Sequence, residues 1–529
     1  MGGCLARPAG TRRVDVVRPA RSEDARGKED RPSHRVSDRL PLSPLDSALC
    51  IRGLVVYWAF GFDRRLDPDA VRASLAATLV KYPALAGRAR VRARRGATLS
   101  LEVDLDHPNA GVAFEVRDEP ATTLEDLRRA GPPSAQNNVT PSSLFRPLHI
   151  RCCENEGALC AVRLTRLGGA AAPATVLGVS WSHALADGRA MRAFCEAWTS
   201  EALARAAAAP RAPPPPGRPL RDPSHDRLEV LAGAEPRDAR AFPELRLEEP
   251  PSAFALARGA CGVLGDVAFR RLAQVTVHIP AADARALKAS LDATSTNDAL
   301  LAATWTLFRR LREADRAARR CKGSSEARQT ARALFPVDHR RDDGRGLPSN
   351  LFGNASLMAC ARLEEETPGA DRGARDRDPG RAEEAPEKAA ARRMARATRV
   401  AVSAAKSPTG SARARGEIFA LARVSTATQI AAAVAAVADV ECFLSAWQFP
   451  EIWDCDFDGA GAGAGAGATY FFGSVLPAAA WTAAAWPARG GGLDVSMNVP
   501  RRLAARTPRE MQEVVRALSD GNVPARGAG

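Results

Sequence analysis

The spacing of apolar residues predicts alternating helices and strands in the first half of the chain. Apolar positions recur at helical intervals over residues 66–81, where Pro68 suits the first turn of a helix. The continuous apolar run at 174–181 predicts a buried strand, and the pattern at 188–203 predicts a helix directly after it. A shorter apolar stretch at 14–17 predicts one more strand near the N-terminus. The first half of the chain is therefore predicted to contain both helices and strands.

The second half shows the same mixture after a proline-rich stretch. A strand is predicted at 276–279, and helices are predicted at 281–291 and 297–311. The stretch at 209–223, APRAPPPPGRPLRDP, is too rich in proline to form a regular helix or a central strand. We interpret it as part of a crossover linker that joins two domains.

Chain length supports this division, because 529 residues exceed what one compact core usually holds. The predicted units are a loosely ordered segment at 1–34, a first domain at 35–208, a linker at 209–255 and a second domain at 256–518. Inside the second domain, the charged stretch at 363–390 has little to bury and is predicted to be a disordered surface insertion. The run GAGAGAGAGA at 459–468 lacks the spacing of a nucleotide-binding glycine loop and is predicted to be flexible.

The charge of the chain does not favour a nucleic-acid partner. The net charge of +14 arises from 75 Lys and Arg residues against 61 Asp and Glu residues, and the acidic residues are interspersed among the basic ones. No basic block with interleaved aromatic residues occurs, and no zinc-finger spacing is present. We therefore expect no nucleic-acid partner.

Cysteine usage and hydropathy predict a cytoplasmic protein, which we also expect to be a monomer. The eleven cysteines are odd in number and include no Cys-x-x-Cys motif, as is typical of a reduced intracellular protein. No apolar run approaches the roughly 18–20 residues of a membrane span, so we expect no membrane partner. Gly2 and Cys4 leave lipidation open, although Ala6 stands where the myristoylation pattern has Ser or Thr.

The stretch WSHALADG at 181–188 carries the clearest chemical signal. It predicts a strand, a tight turn and a helix, with His183 held just past the strand. A neutral imidazole accepts a proton near neutral pH, which contributes roughly 10²–10⁴ in rate. The alternative is a loop histidine that merely precedes a helix. Asp187 suits either of two roles, since it can orient His183 or cap the helix and pair with an arginine.

Two other mechanisms lack support in the same stretch. Ser182 precedes His183 directly, and adjacent strand residues point to opposite faces, so a covalent Ser–His mechanism is not favoured. No nucleophile elbow accompanies the histidine. No third metal ligand lies at a suitable spacing, so we expect no metal. Direct transfer to a bound acceptor is the mechanism these residues favour.

The sequence HALADG resembles the H-x-x-x-D-G motif of the BAHD acyltransferases, and further matches follow in the order of that family. They cover the chain from about residue 12 to 518 and are most specific at 74–88, SLAATLVKYPALAGR. The others are LSPLD at 42–46, STNDALLAATW at 295–305, PVDHRRDDGRGLPSNLFGNA at 336–355, SAWQFPEIWDCDFDGAG at 445–461 and GGLDVSMNVP at 491–500. The chain is similar to plant hydroxycinnamoyl- and anthranilate-type transferases.

This resemblance implies a fold and an activity. The fold would be α/β, with two similar chloramphenicol-acetyltransferase-like domains, each a mixed sheet flanked by helices, and a channel between them. The activity would be acyl transfer from an acyl-CoA thioester to a small-molecule alcohol or amine, in secondary metabolism. Acyl-CoA would be a co-substrate, and no cofactor would be tightly bound. His183 would be the general base, and Asp187 would support the loop through Arg340.

The resemblance also suggests where the thioester carbonyl and CoA bind. The indole N–H of Trp447 would donate to the developing oxyanion with support from Ser445, although plain core packing explains the tryptophan as well. Ser295, Thr296 and Asn297 lie at a helix start, where free N–H groups suit a CoA segment. An ordinary helix cap explains these three residues nearly as well.

Support for the site is expected from Asn354 of the F-G-N element and from Asp456 of the D-F-G-W-G element. The second element departs from the family pattern, because it contains an extra Asp458 and has Ala460 where tryptophan is expected. Altered packing is therefore expected there rather than altered chemistry.

Two alternatives stay open at this point. One is a condensation-type transferase with a carrier-bound acyl donor, but such enzymes usually carry two adjacent histidines, and here Ser182 stands in place of the first. The other is a catalytically degenerate family member that acts as a binding protein.

Overall fold

The fold is described by a computed structural model that covers residues 12–20, 38–51, 54–95, 98–130, 144–146, 148, 157–168, 172–208, 221–226, 272–319, 331–341, 347–363, 385–421, 440–460, 467–476 and 480–519. Within these ranges strands and helices alternate in both halves of the chain, as the apolar pattern predicts.

The strands are, in chain order, β1 (Arg12–Val17), β2 (Arg39–Pro41), β3 (Val55–Phe62), β4 (Arg88–Arg95), β5 (Thr98–Asp104), β6 (Val112–Glu119), β7 (Cys160–Leu167), β8 (Ala174–Ser182), β9 (Leu272–Ile279), β10 (Arg332–Asp338), β11 (Ser356–Arg362), β12 (Cys442–Ala446), β13 (Tyr470–Leu476), β14 (Thr482–Pro487) and β15 (Leu493–Pro500).

The helices are α1 (Pro44–Ile51), α2 (Pro68–Lys81), α3 (Leu124–Ala130), α4 (Gly188–Ala208), α5 (Ala281–Ser290), α6 (Thr296–Arg319), α7 (Pro386–Lys406), α8 (Pro408–Leu421) and α9 (Thr507–Leu518). Short 3₁₀ helices lie at Pro83–Leu85, Pro450–Asp454 and Arg501–Leu503.

The first mixed sheet has the strand order β1-β6-β7-β8-β3-β13. Its β6–β7 pair is parallel and its other pairs are antiparallel. The helices α2 and α4 pack against each other on this sheet. Every residue of β8 is buried, which explains why its sequence is a continuous apolar run rather than an alternating one. A smaller sheet, β2-β5-β4, lies beside this unit.

The second mixed sheet has the order β11-β10-β12-β14-β15-β9. Its β10–β12 and β12–β14 pairs are parallel, and the remaining pairs are antiparallel. A second apolar core joins this sheet to α5, α6, α7 and α9. Two mixed sheets, each flanked by helices, are the fold class expected from the sequence.

One strand from the second half of the sequence belongs to the first sheet. β13 pairs with β3 along its whole length, from Tyr470 opposite Gly61 to Leu476 opposite Val55. Phe471 is buried in the first core, against aromatic residues of β3. The predicted second domain at 256–518 thus contributes a strand to the other sheet. Periodicity does not reveal this exchange, because it cannot tell which sheet edge a strand will join.

Most predicted elements are confirmed, with boundaries that differ by a few residues. The helix at 66–81 begins at Pro68, where the side chain of Asp67 accepts a hydrogen bond from the Asp69 N–H at 2.9 Å. The strand at 14–17 extends to Arg12–Val17 and pairs with β6, so this part of the 1–34 segment is regular structure.

The disordered insertion predicted at 363–390 is wrong for its last residues, which are helical in the structure. α7 begins at Pro386, and its buried side chains include Ala391 and Met394. Residues 364–384 lie outside the described ranges, as do 461–466 of the glycine–alanine run and most of the 209–255 linker. The described part of the linker, 221–226, contains Ser224, which forms a β-bridge with Leu351. None of the helices in the described ranges has the length and hydropathy needed to cross a membrane.

Candidate active site

His183 lies in a tight turn between the end of β8 and the start of α4. Its backbone N–H donates to Leu54 O at 2.8 Å, which ties the turn to the beginning of β3. The indole N–H of Trp181 donates to Ala186 O at 3.0 Å across the same turn. The side chains around the turn are buried, whereas that of His183 is only half-buried. The turn therefore holds an accessible imidazole on a rigid support, as the sequence predicts.

The ring of His183 is bonded to Asn354. Its Nδ1 lies 3.1 Å from Asn354 Oδ1. The amide nitrogen of Asn354 donates to the backbone carbonyl of His183 at 2.7 Å and to Asp46 Oδ1 at 2.7 Å. Both of these partners are acceptors, so the amide nitrogen must face them and the amide oxygen must face the imidazole. An oxygen acceptor at Nδ1 requires a proton there, which leaves the Nε2 lone pair of the neutral ring free.

Asp187 faces Arg340. Its two carboxylate oxygens accept from Arg340 Nη1 at 2.9 Å and Nη2 at 3.1 Å. Oδ1 also accepts from the Ala190 N–H of α4 at 3.0 Å, and Oδ2 accepts from the backbone N–H of Ala355 at 2.9 Å. Burial tends to raise the pKa of Asp187, but the Arg340 charge and these hydrogen bonds outweigh it and lower that pKa below its usual value. Asp187 therefore remains an anion that joins the turn to the second sheet.

Arg340 is itself buried and fully engaged. Besides Asp187, its guanidinium donates to Asp338 Oδ1 at 3.0 Å, to Leu351 O at 3.1 Å and to Gly353 O at 2.7 Å. Although burial opposes its charge, the two carboxylates raise the pKa of Arg340. Four residues predicted for the site, His183, Asp187, Arg340 and Asn354, are thus brought together between the first sheet and the second.

Trp447 lies beside the start of α4 and is largely buried. A Cβ placed on Gly188 would lie 3.5 Å from Trp447 Cδ1, and the indole stacks on Trp486 with ring centroids 6.0 Å apart. Its N–H donates to Ser445 Oγ at 3.0 Å. The one donor of the indole is therefore engaged by Ser445, and the Ser445 hydroxyl is the donor that this pair can offer to another group.

The residues predicted to contact CoA begin α6 with a reciprocal cap. Ser295 Oγ accepts from the Asp298 N–H at 3.2 Å, and Asp298 Oδ2 accepts from the Ser295 N–H at 3.0 Å. Thr296 is the first helical residue, and Asn297 Oδ1 accepts from the side chain of Gln448 at 2.5 Å. Gln448 follows Trp447 directly, so the start of α6 lies next to the Trp447 segment. The CoA contacts themselves stay a prediction.

Asp456 joins a structural ion cluster at the start of α2. Arg64 donates to Asp456 at 2.5 Å and to both oxygens of Asp458 at 2.8 Å. Asp458 also accepts from the Asp67 N–H at 3.0 Å. Burial tends to raise the pKa of Asp458, but the hydrogen bond from Arg64 outweighs burial and lowers that pKa. Phe457, between the two acids, is fully buried in the first core. The structure therefore accommodates the extra aspartate, Asp458, as a second carboxylate partner of Arg64 beside Asp456.

Among the residues that the structure describes, Ser182 and three buried cysteines are poorly suited to act as nucleophiles in covalent catalysis. Ser182 is fully buried, and its Oγ accepts from the Ala184 N–H at 3.3 Å. Burial raises the pKa of the Cys160, Cys195 and Cys455 thiols, which disfavours the reactive thiolates. Within the ranges that the structure covers, no three His, Cys, Asp or Glu side chains form a metal-binding group. The geometry suits proton transfer by a single imidazole.

Asp46 is the site residue that sequence reasoning did not identify. Its motif, LSPLD, was visible as a match to the family, but the match assigned no role to the aspartate. The structure places Asp46 Oδ1 2.7 Å from Asn354 Nδ2, across 308 positions of sequence. Only the three-dimensional arrangement shows that this aspartate acts on the histidine's partner.

A model of the Transferase family matches residues 28–363, which is more than half of the chain. Tryptamine hydroxycinnamoyltransferase 2 of Oryza sativa subsp. japonica is 27% identical over 354 residues, which cover 66% of this chain and 69% of that protein. Putrescine hydroxycinnamoyltransferase 2 of the same organism is 30% identical over 148 residues, 28% of this chain and 42% of that protein.

The fold is also that of a solved structure with CoA bound. The crystal structure of F. sporotrichioides TRI101 complexed with coenzyme A and T-2 superposes with a TM-score of 0.58. The two sequences are 14% identical, and the match covers 90% of this chain and 97% of the other. This similarity extends across both sheets and supports the two-sheet architecture.

Proposed function

Since the chain belongs to the Transferase family of BAHD acyltransferases and is an acyl-CoA-dependent acyltransferase, we propose that His183 is the general base of a direct transfer. The observation that carries this proposal is the contact between His183 Nδ1 and Asn354 Oδ1, at 3.1 Å. That contact leaves Nε2 as the basic atom of a half-buried imidazole. The acceptor is a hydroxyl or amine of a small molecule, and acyl-CoA is a co-substrate rather than a bound cofactor.

The proposed reaction needs one proton shuttle. Nε2 of His183 takes the proton from the acceptor as its oxygen or nitrogen attacks the thioester carbonyl carbon. The tetrahedral intermediate collapses, the carbon–sulfur bond breaks, and the CoA thiolate takes the proton back from the imidazolium. The products are an ester or amide and free CoA, and His183 returns to its neutral form.

The oxyanion of that intermediate is assigned to the Trp447–Ser445 pair. Because the indole N–H already donates to Ser445 Oγ at 3.0 Å, the hydroxyl is the group that can donate to the oxyanion. Trp447 then fixes the hydroxyl in place, rather than donating to the oxyanion itself as the resemblance suggests. Because the Ser295 N–H already donates to Asp298 Oδ2, the backbone N–H groups of Thr296 and Asn297 are the ones proposed to meet a polar segment of CoA.

The networks around Asp187 and Asp456 are proposed to act structurally. Asp187 and Arg340 keep the turn against the second sheet through a bidentate pair at 2.9 and 3.1 Å. Asp456 supports the first core through Arg64. Neither aspartate takes part in proton transfer.

The names of the two rice relatives guide the choice of substrates. Both are hydroxycinnamoyltransferases, one acting on tryptamine and the other on putrescine. We therefore propose hydroxycinnamoyl-CoA as the first donor to test and primary amines as the first acceptors, with alcohols as the comparison. A cytoplasmic monomer of secondary metabolism is the accompanying proposal, and sedimentation and cell fractionation test it.

The activity test is a measurement of thiol release and product mass. The purified chain is incubated with hydroxycinnamoyl-CoA and a panel of amines and alcohols. The proposal predicts acceptor-dependent release of free CoA together with an amide or ester of the expected mass. If acyl-CoA binds but no acceptor of either class supports release, the protein is a degenerate binding protein. If acyl-CoA does not bind, a carrier-bound donor replaces it.

A further inference from the structure

The geometry points to Asp46 as a positioning residue for the proposed base, acting through the side chain of Asn354. Asp46 fixes the direction of the Asn354 amide, and the amide fixes which ring nitrogen of His183 carries the proton. This inference rests on the proposed function of His183, but its structural part is testable without any substrate.

Asp46 is held by the first turn of α1. Its Oδ2 accepts from the Ser43 N–H at 3.2 Å, and its own N–H donates to Ser43 Oγ at 3.1 Å. This reciprocal cap is the arrangement expected where Ser is followed three residues later by an acid at a helix start. Asp46 is 1% exposed, and its Oδ1 faces Asn354 Nδ2 at 2.7 Å. The cap therefore presents one carboxylate oxygen to the second half of the chain.

The amide of Asn354 has only one favourable direction in this setting. Its nitrogen donates one proton to Asp46 Oδ1 and the other to the backbone carbonyl of His183, each at 2.7 Å. A flipped amide would place its carbonyl oxygen against both of these oxygens, one of them on an acidic side chain. Such a buried arrangement loses two hydrogen bonds and brings like partial charges together. Asn354 is 3% exposed, so water does not readily replace the lost bonds.

The direction of the amide decides the tautomer of His183. With Oδ1 toward the ring, at 3.1 Å from Nδ1, the neutral imidazole is protonated at Nδ1 and basic at Nε2. A flipped amide would present its N–H to Nδ1 and favour the other tautomer, in which Nε2 already holds a proton. That tautomer cannot take a proton from the acceptor. Asp46 thus selects the reactive form of the base without touching it.

Two variants of the same cap test this role. Asp46→Asn retains the size of the side chain. Its single amide oxygen, however, can accept a hydrogen bond from only one of the two N–H donors of Asp46, which are the Ser43 backbone and the Asn354 side chain. Ser43→Ala is the matched control, because it removes the other half of the cap and leaves the Asp46–Asn354 contact intact. We expect Asp46→Asn to lower kcat at least about tenfold with little change in the KM for acyl-CoA. Ser43→Ala should stay within about twofold of the wild type in kcat, because it leaves the tautomer unchanged.

The spectroscopic readout is the ¹⁵N spectrum of the histidine rings. The chain has 7 histidines, so the His183 signals are assigned by their loss in His183→Gln. We expect the neutral ring of His183 to carry its proton on Nδ1 in the wild type and in Ser43→Ala. In Asp46→Asn, a substantial fraction should carry it on Nε2.

Either of two results would overturn the inference. One is a wild-type His183 whose neutral ring is protonated at Nε2, which decides the matter even if Asp46→Asn fails to fold. The other is an Asp46→Asn protein that equals Ser43→Ala in both kcat and ring spectrum. Should the wild type lack transferase activity while its ring spectra behave as expected, the proposed function fails and the role of Asp46 stands.

Discussion

Arg340 donates two N–H groups to the carboxylate of Asp187, at 2.9 and 3.1 Å, while the ring of His183 bonds to Asn354. From the sequence, Asp187 could either orient His183 or cap the helix and pair with an arginine. Its bidentate contact with Arg340 favours the second, structural role. The motif aspartate and the motif histidine thus belong to different networks. One network fixes the position of the turn, and the other fixes the protonation of the ring.

Loss of the Asp187 carboxylate should destabilise the fold severely. Asp187→Asn leaves the buried Arg340 guanidinium without its bidentate partner, which typically costs about 3–5 kcal/mol in the free energy of unfolding. Urea unfolding of the variant and the wild type measures this loss. Glu513→Gln is the comparison, since it breaks an exposed ion pair with Arg509 and should leave the unfolding free energy nearly unchanged. Equal effects of the two substitutions would contradict the structural role.

The contribution of Asp187 should depend on pH in a defined direction. Despite its burial, the positive charge of Arg340 holds the pKa of Asp187 below its usual value. Such a carboxyl stabilises the folded state above its unfolded pKa, about 3.9, and the contribution disappears as the pH falls through the lowered folded value. The difference in unfolding free energy between the wild type and Asp187→Asn should therefore be constant near neutral pH and shrink below about pH 4. A difference that grew with acidification would contradict this assignment.

Asp458, the residue added to the family's D-F-G-W-G element, should matter for stability and not for chemistry. Both of its oxygens accept from Arg64, and one accepts from the Asp67 N–H at 3.0 Å. Asp458→Ala removes charge-assisted bonds from a largely buried position, and we expect a loss of about 1–3 kcal/mol in the free energy of unfolding. The kcat of the folded variant should equal that of the wild type. A selective loss of kcat at unchanged stability would place this segment in the catalytic machinery.

The Ser445–Trp447 pair gives a prediction about the oxyanion. If the Ser445 hydroxyl is the donor, Ser445→Ala should lower kcat by about 10²–10³. Trp447→Phe removes the N–H that positions the hydroxyl and keeps most of the aromatic packing against Trp486. Its effect on kcat should therefore be smaller than that of Ser445→Ala. A larger loss of kcat in Trp447→Phe than in Ser445→Ala would indicate that the indole N–H, rather than the Ser445 hydroxyl, donates to the oxyanion.

Local patterns in the sequence predict the elements around His183 well. The structure contains β8 where the apolar run at 174–181 predicts a strand, and α4 where the helical spacing at 188–203 predicts a helix. Since only a few residues separate the two elements, the chain between them must form a tight turn. A resemblance to the family adds Arg340 and Asn354, which no local pattern would single out. The structure places Arg340 against Asp187 and Asn354 against His183.

Contacts between distant segments are what the sequence leaves out. The hydrogen bond between Asp46 and Asn354 joins residues that are 308 positions apart. The pairing of β13 with β3 depends on which sheet edge is unpaired when the strand docks. The indole N–H of Trp447 is satisfied by Ser445, two residues away, and this too is a matter of side-chain direction. Such features depend on packing that periodicity and motif spacing do not encode.

The most direct test of His183 as the base is the turnover of His183→Ala. Free CoA and acylated product are followed over time with hydroxycinnamoyl-CoA and an active acceptor. His107→Ala is the control, because His107 lies in the exposed turn between β5 and β6. The account predicts a fall in acceptor-dependent turnover of at least about a hundredfold in His183→Ala and wild-type turnover in the control. Equal turnover by His183→Ala and the wild type would contradict the assignment of His183 as the catalytic base.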